Sequence, residues 1–249
     1  MCTIGTDRSL NIIFKNRDKN IDTTEEVIHG KGFLAVRTKG AGYYSLGFND
    51  MGCGFVSAAV NSPEWTYLAE NGKAEAAKEL AQKENEGLVS PTVIVSSMLS
   101  EISTVDEWIN SIERQKVAYK GYKVLMADKC KACIVETYKN KVVVTDFPSG
   151  KGESTNHFFN IKFGPIKYED YPSSFDRYKY ITEKMRSVKK IEDVFLVLNP
   201  KDPSDRERIW RSGKNGKFFT ISSSVVDLKR KCLYFLKNGE NQYKKTCIQ

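Results

Sequence analysis

MCTIGTDRSLNIIFKNRDKN, residues 1–20, places a cysteine directly after the initiator methionine and two β-rich runs, TIGTD and SLNIIFKN, behind it. Cys2 has a small side chain, and methionine aminopeptidases excise Met1 ahead of small residues. Removal of Met1 leaves a thiol and a free α-amine on one residue. An α-amine has an ordinary pKa of about 7.7–8.0, so it can serve as an internal general base for its own nucleophile. A lone Cys2 is more often core filler than a nucleophile, so its role depends on what the rest of the chain supplies.

Outward from this stretch, GFLAVRT, YYSLGFN and CGFVSAAVN continue the pattern of short strands punctuated by Gly, Asn and Asp through residue 61. KAEAAKELAQKENE (73–86) is rich in strong helix formers and stops at Gly87. SPTVIVSSMLSEI opens a helix with Ser90 as N-cap and Pro91 at the first helical position. Thr104 and Glu107 form a capping box for DEWINSIERQ. Strands return in GYKVLMAD, ACIVETYKN and KVVVTDF, with a hairpin at YKNK. SSFDRYKYITEKMRSV reads as a helix capped by Ser173 or Ser174, and IEDVFLVLN as a short helix stopped by Pro200. The chain closes with two strands joined at DLKRK. The succession of strands, helices, strands, helices, strands predicts an α+β fold with layered antiparallel sheets, formed by one domain over residues 1–249.

Composition bounds the function. The 249 residues are 40% hydrophobic and 28% charged, as in ordinary globular proteins. No run of about 18 apolar residues is present, and no charged-then-apolar leader opens the chain, so neither a membrane span nor secretion is expected and the cytoplasm is the expected location. The net charge is +8, but the lysines are scattered and not interleaved with aromatics, so nucleic acid is not the expected partner. Self-association into a homo-oligomer is left open. The six cysteines do not read as a disulfide framework. Cys130 and Cys133 form a CxxC, yet with two histidines in the chain and no second CxxC a turn between strands is favoured over zinc. No metal and no cofactor are expected.

Four stretches join Cys2. KNRD (15–18) places Asp18 after the second strand-like run; GFNDMGCGFVSAAVN ends at Asn61; TNHF begins at Thr155 and carries Asn156; SSFDRY (173–178) carries Ser174 and Arg177. In order and spacing these resemble the N-terminal-nucleophile amidohydrolases, in the branch of acyl-CoA:isopenicillin N acyltransferase and the choloylglycine hydrolases. The resemblance runs from Cys2 to about Gly239, including the softer match IWRSG…SSVVDLKRKCLYFLKNG. It implies a four-layer αββα sandwich, two antiparallel sheets between helical layers. It implies Cys2 as nucleophile, Asp18 as the carboxylate orienting its amine, the Asn61 backbone and Asn156 amide as oxyanion donors, and Arg177 in the same constellation. Ser174, Lys15 and Arg17 are read as substrate-binding.

The physical logic is independent of the name. An amide is a poor electrophile, so its cleavage needs a thiolate, a proton carrier and charge stabilisation on the carbonyl oxygen. Oxyanion donors are each worth about 2.7–4 kcal/mol of barrier. The expected substrate is a small-molecule N-acyl amide, hydrolysed through a Cys2 thioester with acyl transfer to an amine as a side activity. One departure stands out: choloylglycine hydrolases carry Arg three positions before the Asp, where this chain has Lys15. Lys and Arg are not equivalent at such a site, which turns the expectation toward the acyltransferase-like subgroup. The resemblance implies a substrate pocket built from loops, expected at 40–44 and 62–71. The alternatives are a class II-type glutaminase, whose glutamine-binding motif is absent, and a degenerate basic binding protein on the same scaffold.

Overall fold

The computed structural model describes residues 2–19, 22–161, 168–212 and 218–248. The chain opens with β1 (Cys2–Asp7) and β2 (Ile12–Lys19), followed by β3 (Glu25–Gly30), β4 (Phe33–Thr38), β5 (Leu46–Asn49) and β6 (Gly54–Ala59). Four helices come next: α1 (Pro63–Glu70), α2 (Ala74–Glu84), α3 (Pro91–Ser97) and α4 (Val105–Arg114). Strands return as β7 (Tyr119–Ala127), β8 (Ala132–Lys139), β9 (Lys141–Asp146) and β10 (Lys151–Ser154). Helices α5 (Pro172–Met185), α6 (Ile191–Leu198) and α7 (Pro203–Ile209) precede β11 (Phe219–Asp227), β12 (Cys232–Lys237) and β13 (Lys244–Cys247).

These strands form two antiparallel sheets, one in the order β10-β1-β2-β11-β12-β13 and one in the order β3 through β9. Alternation along each strand sends successive side chains to opposite faces, and three apolar slabs result. Ile4, Ile13, Val226, Leu233 and Phe235 of the first sheet meet Leu34, Leu46, Phe48, Val56 and Leu125 of the second in the centre. Ile12, Phe14 and Val225 turn outward onto Tyr180, Ile181, Val194 and Ile209 of α5, α6 and α7. Phe55, Val124, Met126 and Val135 turn the other way onto Val95 of α3 and Val105, Trp108 and Ile112 of α4. The layers are therefore α, β, β, α, as the resemblance implies.

Local signals explain most boundaries. Thr104 and Glu107 form the expected capping box of α4. Pro91 starts α3 behind Ser90, although the Ser90 hydroxyl bonds Thr92 Oγ1 rather than a backbone N–H. Three readings are corrected. The residue before α5 is Tyr171, not Ser173 or Ser174, because Pro172 takes the first helical position and draws both serines inside the helix. Residues 62–71, expected as a loop, carry α1, with Ser62 Oγ accepting from Trp65 N and Pro63 at the first position. The cysteines are not all free: Cys232 and Cys247 form a disulfide. Antiparallel register places the two opposite one another on β12 and β13, a juxtaposition invisible while β13 itself is unrecognised. Among the described residues no helix is long and apolar enough to cross a membrane.

Candidate active site

Strand β2 organises the site by its two faces. Its inner face carries Ile13, Lys15 and Arg17, and its outer face Asn16 and Asp18. Cys2 begins β1 directly opposite Arg17, with Lys15 two pairs further along, opposite Ile4. Cys2 is buried and lines a cavity of about 780 Å³ together with Lys15, Arg17, Lys19, Asn61 and Asn156. Helices α1 and α2 cover one side of the cavity with Trp65, Ala69, Ala74, Ala77 and Ala81, and Tyr43, Tyr122 and Phe218 complete its aromatic wall.

The two inner cations are held differently. Arg17 donates to Glu25 Oε1 at 2.5 Å and to Thr38 Oγ1 at 2.6 Å, so its charge is matched. Glu25 also accepts from the Ser222 hydroxyl. Among the described residues Lys15 meets no carboxylate at bonding distance; its Nζ donates to the carbonyls of Ser57 at 2.6 Å and Ser45 at 3.0 Å. Burial by itself pushes the Cys2 thiol up, yet the positive charges of Lys15, the amino terminus and Arg17 outweigh it and the net direction is down. Burial brings Lys15 to about 8 despite the opposing pull of Cys2.

On the outer side, α5 packs its buried polar residues against β1 and the TNHF turn. Arg177 is 2% exposed and donates to Cys2 O at 2.8 Å, Thr3 Oγ1 at 3.3 Å and Asn156 Oδ1 at 3.3 Å. Asp18 Oδ1 accepts from Thr220 Oγ1 at 2.8 Å, and its Oδ2 lies 3.7 Å from Arg177. The Cys2 N–H donates to Asn156 Oδ1 at 2.5 Å, not to Asp18. Met1, whose removal is expected, lies outside the described residues. Asn156 Nδ2 donates to Ala59 O at 2.6 Å. A carboxamide has two N–H donors, and among the described residues the second has no acceptor at the cavity that Asn156 lines. The Asn61 carbonyl accepts from Tyr171 Oη at 2.7 Å, tying the chain ahead of α1 to the residue before α5.

Cys2, Lys15, Arg17, Asn61 and Asn156 thus meet at one cavity, while Asp18 and Arg177 stand behind it. Ser174 does not reach the cavity. It is 2% exposed, and its Oγ accepts from Asn156 N at 2.8 Å and lies 3.0 Å from His157 Nδ1. It supports the turn that carries Asn156. His157, the histidine of the TNHF stretch, is stacked on Phe175 at 4.1 Å and kept neutral, with burial and the charges of Lys123 and Arg177 bringing it to about 3. Glu25 and the cavity-facing side of α2 are unremarked in the sequence. Glu25 lies in a locally unexceptional run, and the alanines read only as helix formers. The CxxC forms a turn whose Cys130 and Lys131 amides donate to Asp128 Oδ1. No group of three or more His, Cys, Asp or Glu able to hold a metal occurs among the described residues.

A buried cysteine at the head of β1, facing a cavity in a fold of two antiparallel sheets sandwiched by helices, defines the N-terminal-nucleophile hydrolase fold. The family model for acyl-coenzyme A:6-aminopenicillanic acid acyl-transferase matches residues 77–242, and the chain belongs to that family. A conjugated bile acid hydrolase from Clostridium perfringens shares the fold at a TM-score of 0.58 and 13% identity, over 100% of this chain and 92% of that one. The Caenorhabditis elegans N-acylethanolamine-hydrolyzing acid amidase (NAAA) ortholog gives a TM-score of 0.56 at 12% identity, over 92% and 93% of the two chains. Penicillin V acylase from Agrobacterium tumefaciens gives 0.55 at 13% identity, over 100% and 86%. No curated protein sequence matches the chain.

Proposed function

We propose that the protein is an N-terminal-cysteine amidohydrolase that cleaves the linear C–N bond of a small N-acyl amide through a thioester on Cys2. The observation that carries this reading is the pairing of a thiol driven toward its anion with Asn156 at one cavity, in a family of acyl-transferases. The α-amine of mature Cys2 takes the thiol proton as the sulfur attacks the amide carbon, and the carbonyl oxygen becomes an oxyanion. The second N–H of Asn156 and the Asn61 backbone take that charge. As the intermediate collapses, the C–N bond breaks and the leaving nitrogen takes a proton from the α-amine of mature Cys2. Water then attacks the thioester carbon, gives a proton to that amine and releases the acid. Asp18 acts from behind with Arg177, holding the Cys2 backbone and the Asn156 carboxamide in register.

The cavity also supports a substrate class. Tyr43, Trp65, Tyr122 and the alanines of α2 offer an apolar wall, and Lys19, Lys78 and Lys120 outnumber Asp22 and Glu75 on its rim. With Arg17 matched by Glu25, these lysines remain for a ligand, so the favoured substrate is an amphiphile with an apolar acyl part and an anionic group. The glutaminase reading is set aside, since the family match is to acyl-transferases. The test is mass spectrometry of protein incubated with N-acyl amino acids, N-acylethanolamines, conjugated bile acids and penicillin V. An acyl adduct on the Cys2 peptide, with acid released, is the expected result; turnover with every adduct elsewhere would overturn it. Thiol trapping in cells addresses location: an intact Cys232–Cys247 bond there would replace the expected cytoplasm with an oxidising compartment.

A further inference from the structure

Away from the cavity, Lys123 on β7 and Glu136 on β8 form an ion pair, with Nζ 3.3 Å from Oε1 and both side chains 0% exposed. The two residues stand directly opposite each other in the strand register. Alternation along the strands puts them on the inter-sheet face that also carries Leu125 and Ile134, where aliphatic side chains would serve the core. Replacing a buried ion pair by apolar residues is often neutral or stabilising. Stability of the core therefore does not account for the pair, and its neighbours do.

The pair grips the chain on both sides of Asn156. Before it, Ser154 Oγ accepts from Lys123 Nζ at 2.8 Å. After it, Phe159 N donates to Glu136 Oε1 at 2.7 Å, and Asn160 N and Ile161 N donate to Oε2 at 2.7 and 3.3 Å. The ammonium also lies 3.5 Å from the centre of the Phe159 ring. Ser154 ends β10 in the six-stranded sheet, so charges on one sheet hold a turn that belongs to the other. A carboxylate that receives three successive amides fixes their direction, and an apolar residue at 136 would leave them unmatched. The same strands supply the acceptor of the Asn156 amide: Ala59 follows Ala58, which is the β6 residue opposite Lys123.

We propose that Lys123 and Glu136 are positioning residues, a clamp on residues 154–161 that aims the Asn156 carboxamide at the developing oxyanion. Both stand outside the cavity lining, so they act through Asn156 and not on the substrate. A catalytic group misplaced by about 1 Å can lose about 10²-fold in rate, which gives a rigid turn a chemical use beyond folding. Ser174 steadies the same turn from α5 through Asn156 N. The clamp adds a hold from the opposite sheet, at the two ends of the turn. Its catalytic half rests on the amidohydrolase reading; the clamp itself does not.

The test compares Lys123→Met with wild type on whichever amide of the panel above is cleaved. It should lower kcat roughly tenfold or more while KM stays within about twofold. Alkylation of Cys2 by iodoacetamide should keep its rate, because displacement at a saturated carbon forms no oxyanion. In an Asn156→Ala background the same substitution should cost less than about twofold, since the group it aims is gone. A tenfold loss that persists in that background overturns the proposal, as does wild-type kcat in folded Lys123→Met or an equal fall in alkylation. If Lys123→Met does not fold, Ser154→Ala cuts the same grip, leaves the ion pair, and is read the same way. Hydrogen exchange tests the clamp without substrate: amides of 159–161 should exchange at least about tenfold faster in the variant than in wild type. Unchanged exchange there overturns the clamp. A wild-type protein that cleaves no amide overturns the functional reading, and exchange then decides the clamp by itself.

Discussion

The two faces of β2 are built from adjacent residues and do opposite work. Inward, Lys15 and Arg17 stand beside the nucleophile and open onto a cavity. Outward, Asn16 donates to Leu198 O at 2.8 Å and Asp18 bonds Thr220, both within a packed shell reaching α5 and α6. A period of two along the strand lets one eight-residue segment supply reactive charge on one side and rigid support on the other. The lesson is that support for a site need not come from its own side of the sheet. Asn156 and Arg177 join the faces, since Arg177 reaches both Asp18 and the Cys2 carbonyl.

The strongest break of this picture is Cys2→Ala, which should lower amide turnover by about 10⁶, as loss of a nucleophile does in other hydrolases, with thermal unfolding unchanged. A stability loss of similar weight to the activity loss would mean that Cys2 is core filler. Next comes Glu25→Gln. It leaves Arg17 buried without its carboxylate and should cost about 3–5 kcal/mol of stability in a denaturant titration. The half-exposed Glu26 pair with Arg37 gives the contrast, because Glu26→Gln should cost under about 1 kcal/mol.

Asn156→Ala probes the junction of the faces. It should reduce kcat by about 10²–10³ with little change in KM, and Asp18→Asn should do comparable damage from the outer side. Wild-type turnover in either variant removes that residue from the mechanism. A smaller effect separates the faces by pH. His157 sits at about 3 in the folded protein, while an unfolded histidine titrates near 6.5. As pH falls below about 6.5 the unfolded chain takes a proton that the folded chain refuses, so stability is full above that value and declines toward pH 3. His157→Gln should flatten this slope in pH-dependent thermal melts. Smallest of all, Cys130→Ser at the exposed turn should change stability by less than about 0.5 kcal/mol and leave activity unaltered.

Much of the outline was legible because it is local. Capping boxes, proline at helix starts and short β-rich runs each depend on neighbours within a few residues, and they mark α4, α3 and most strands. Cys2, Asp18, Asn156 and Arg177 were legible through motif order rather than through any one residue. Ser174 was misplaced because cap propensity favoured serine and overlooked Pro172, which fixes the helix start two to three residues earlier than the serines imply. Glu25 was invisible for another reason. Its partner Arg17 lies only eight residues away but in the other sheet, so their meeting depends on how the sheets stack. The cavity wall of α2 was hidden likewise, since alanine is equally at home on a buried, exposed or cavity-facing helix surface.

The Cys232–Cys247 bond lies at the rim of the six-stranded sheet, where β13 is the last strand. A cross-link spanning 15 residues is worth about 3 kcal/mol against the unfolded chain, and here it also holds the outermost strand onto β12. If β13 peels away, β12 presents a row of unmatched amides and carbonyls to any copy that drifts past. The reductant added at the bench to preserve a reactive cysteine therefore acts at two ends of this molecule. It keeps Cys2 chemically fresh while unfastening the edge that keeps neighbouring molecules apart, so storage conditions that favour activity measurements also favour precipitation.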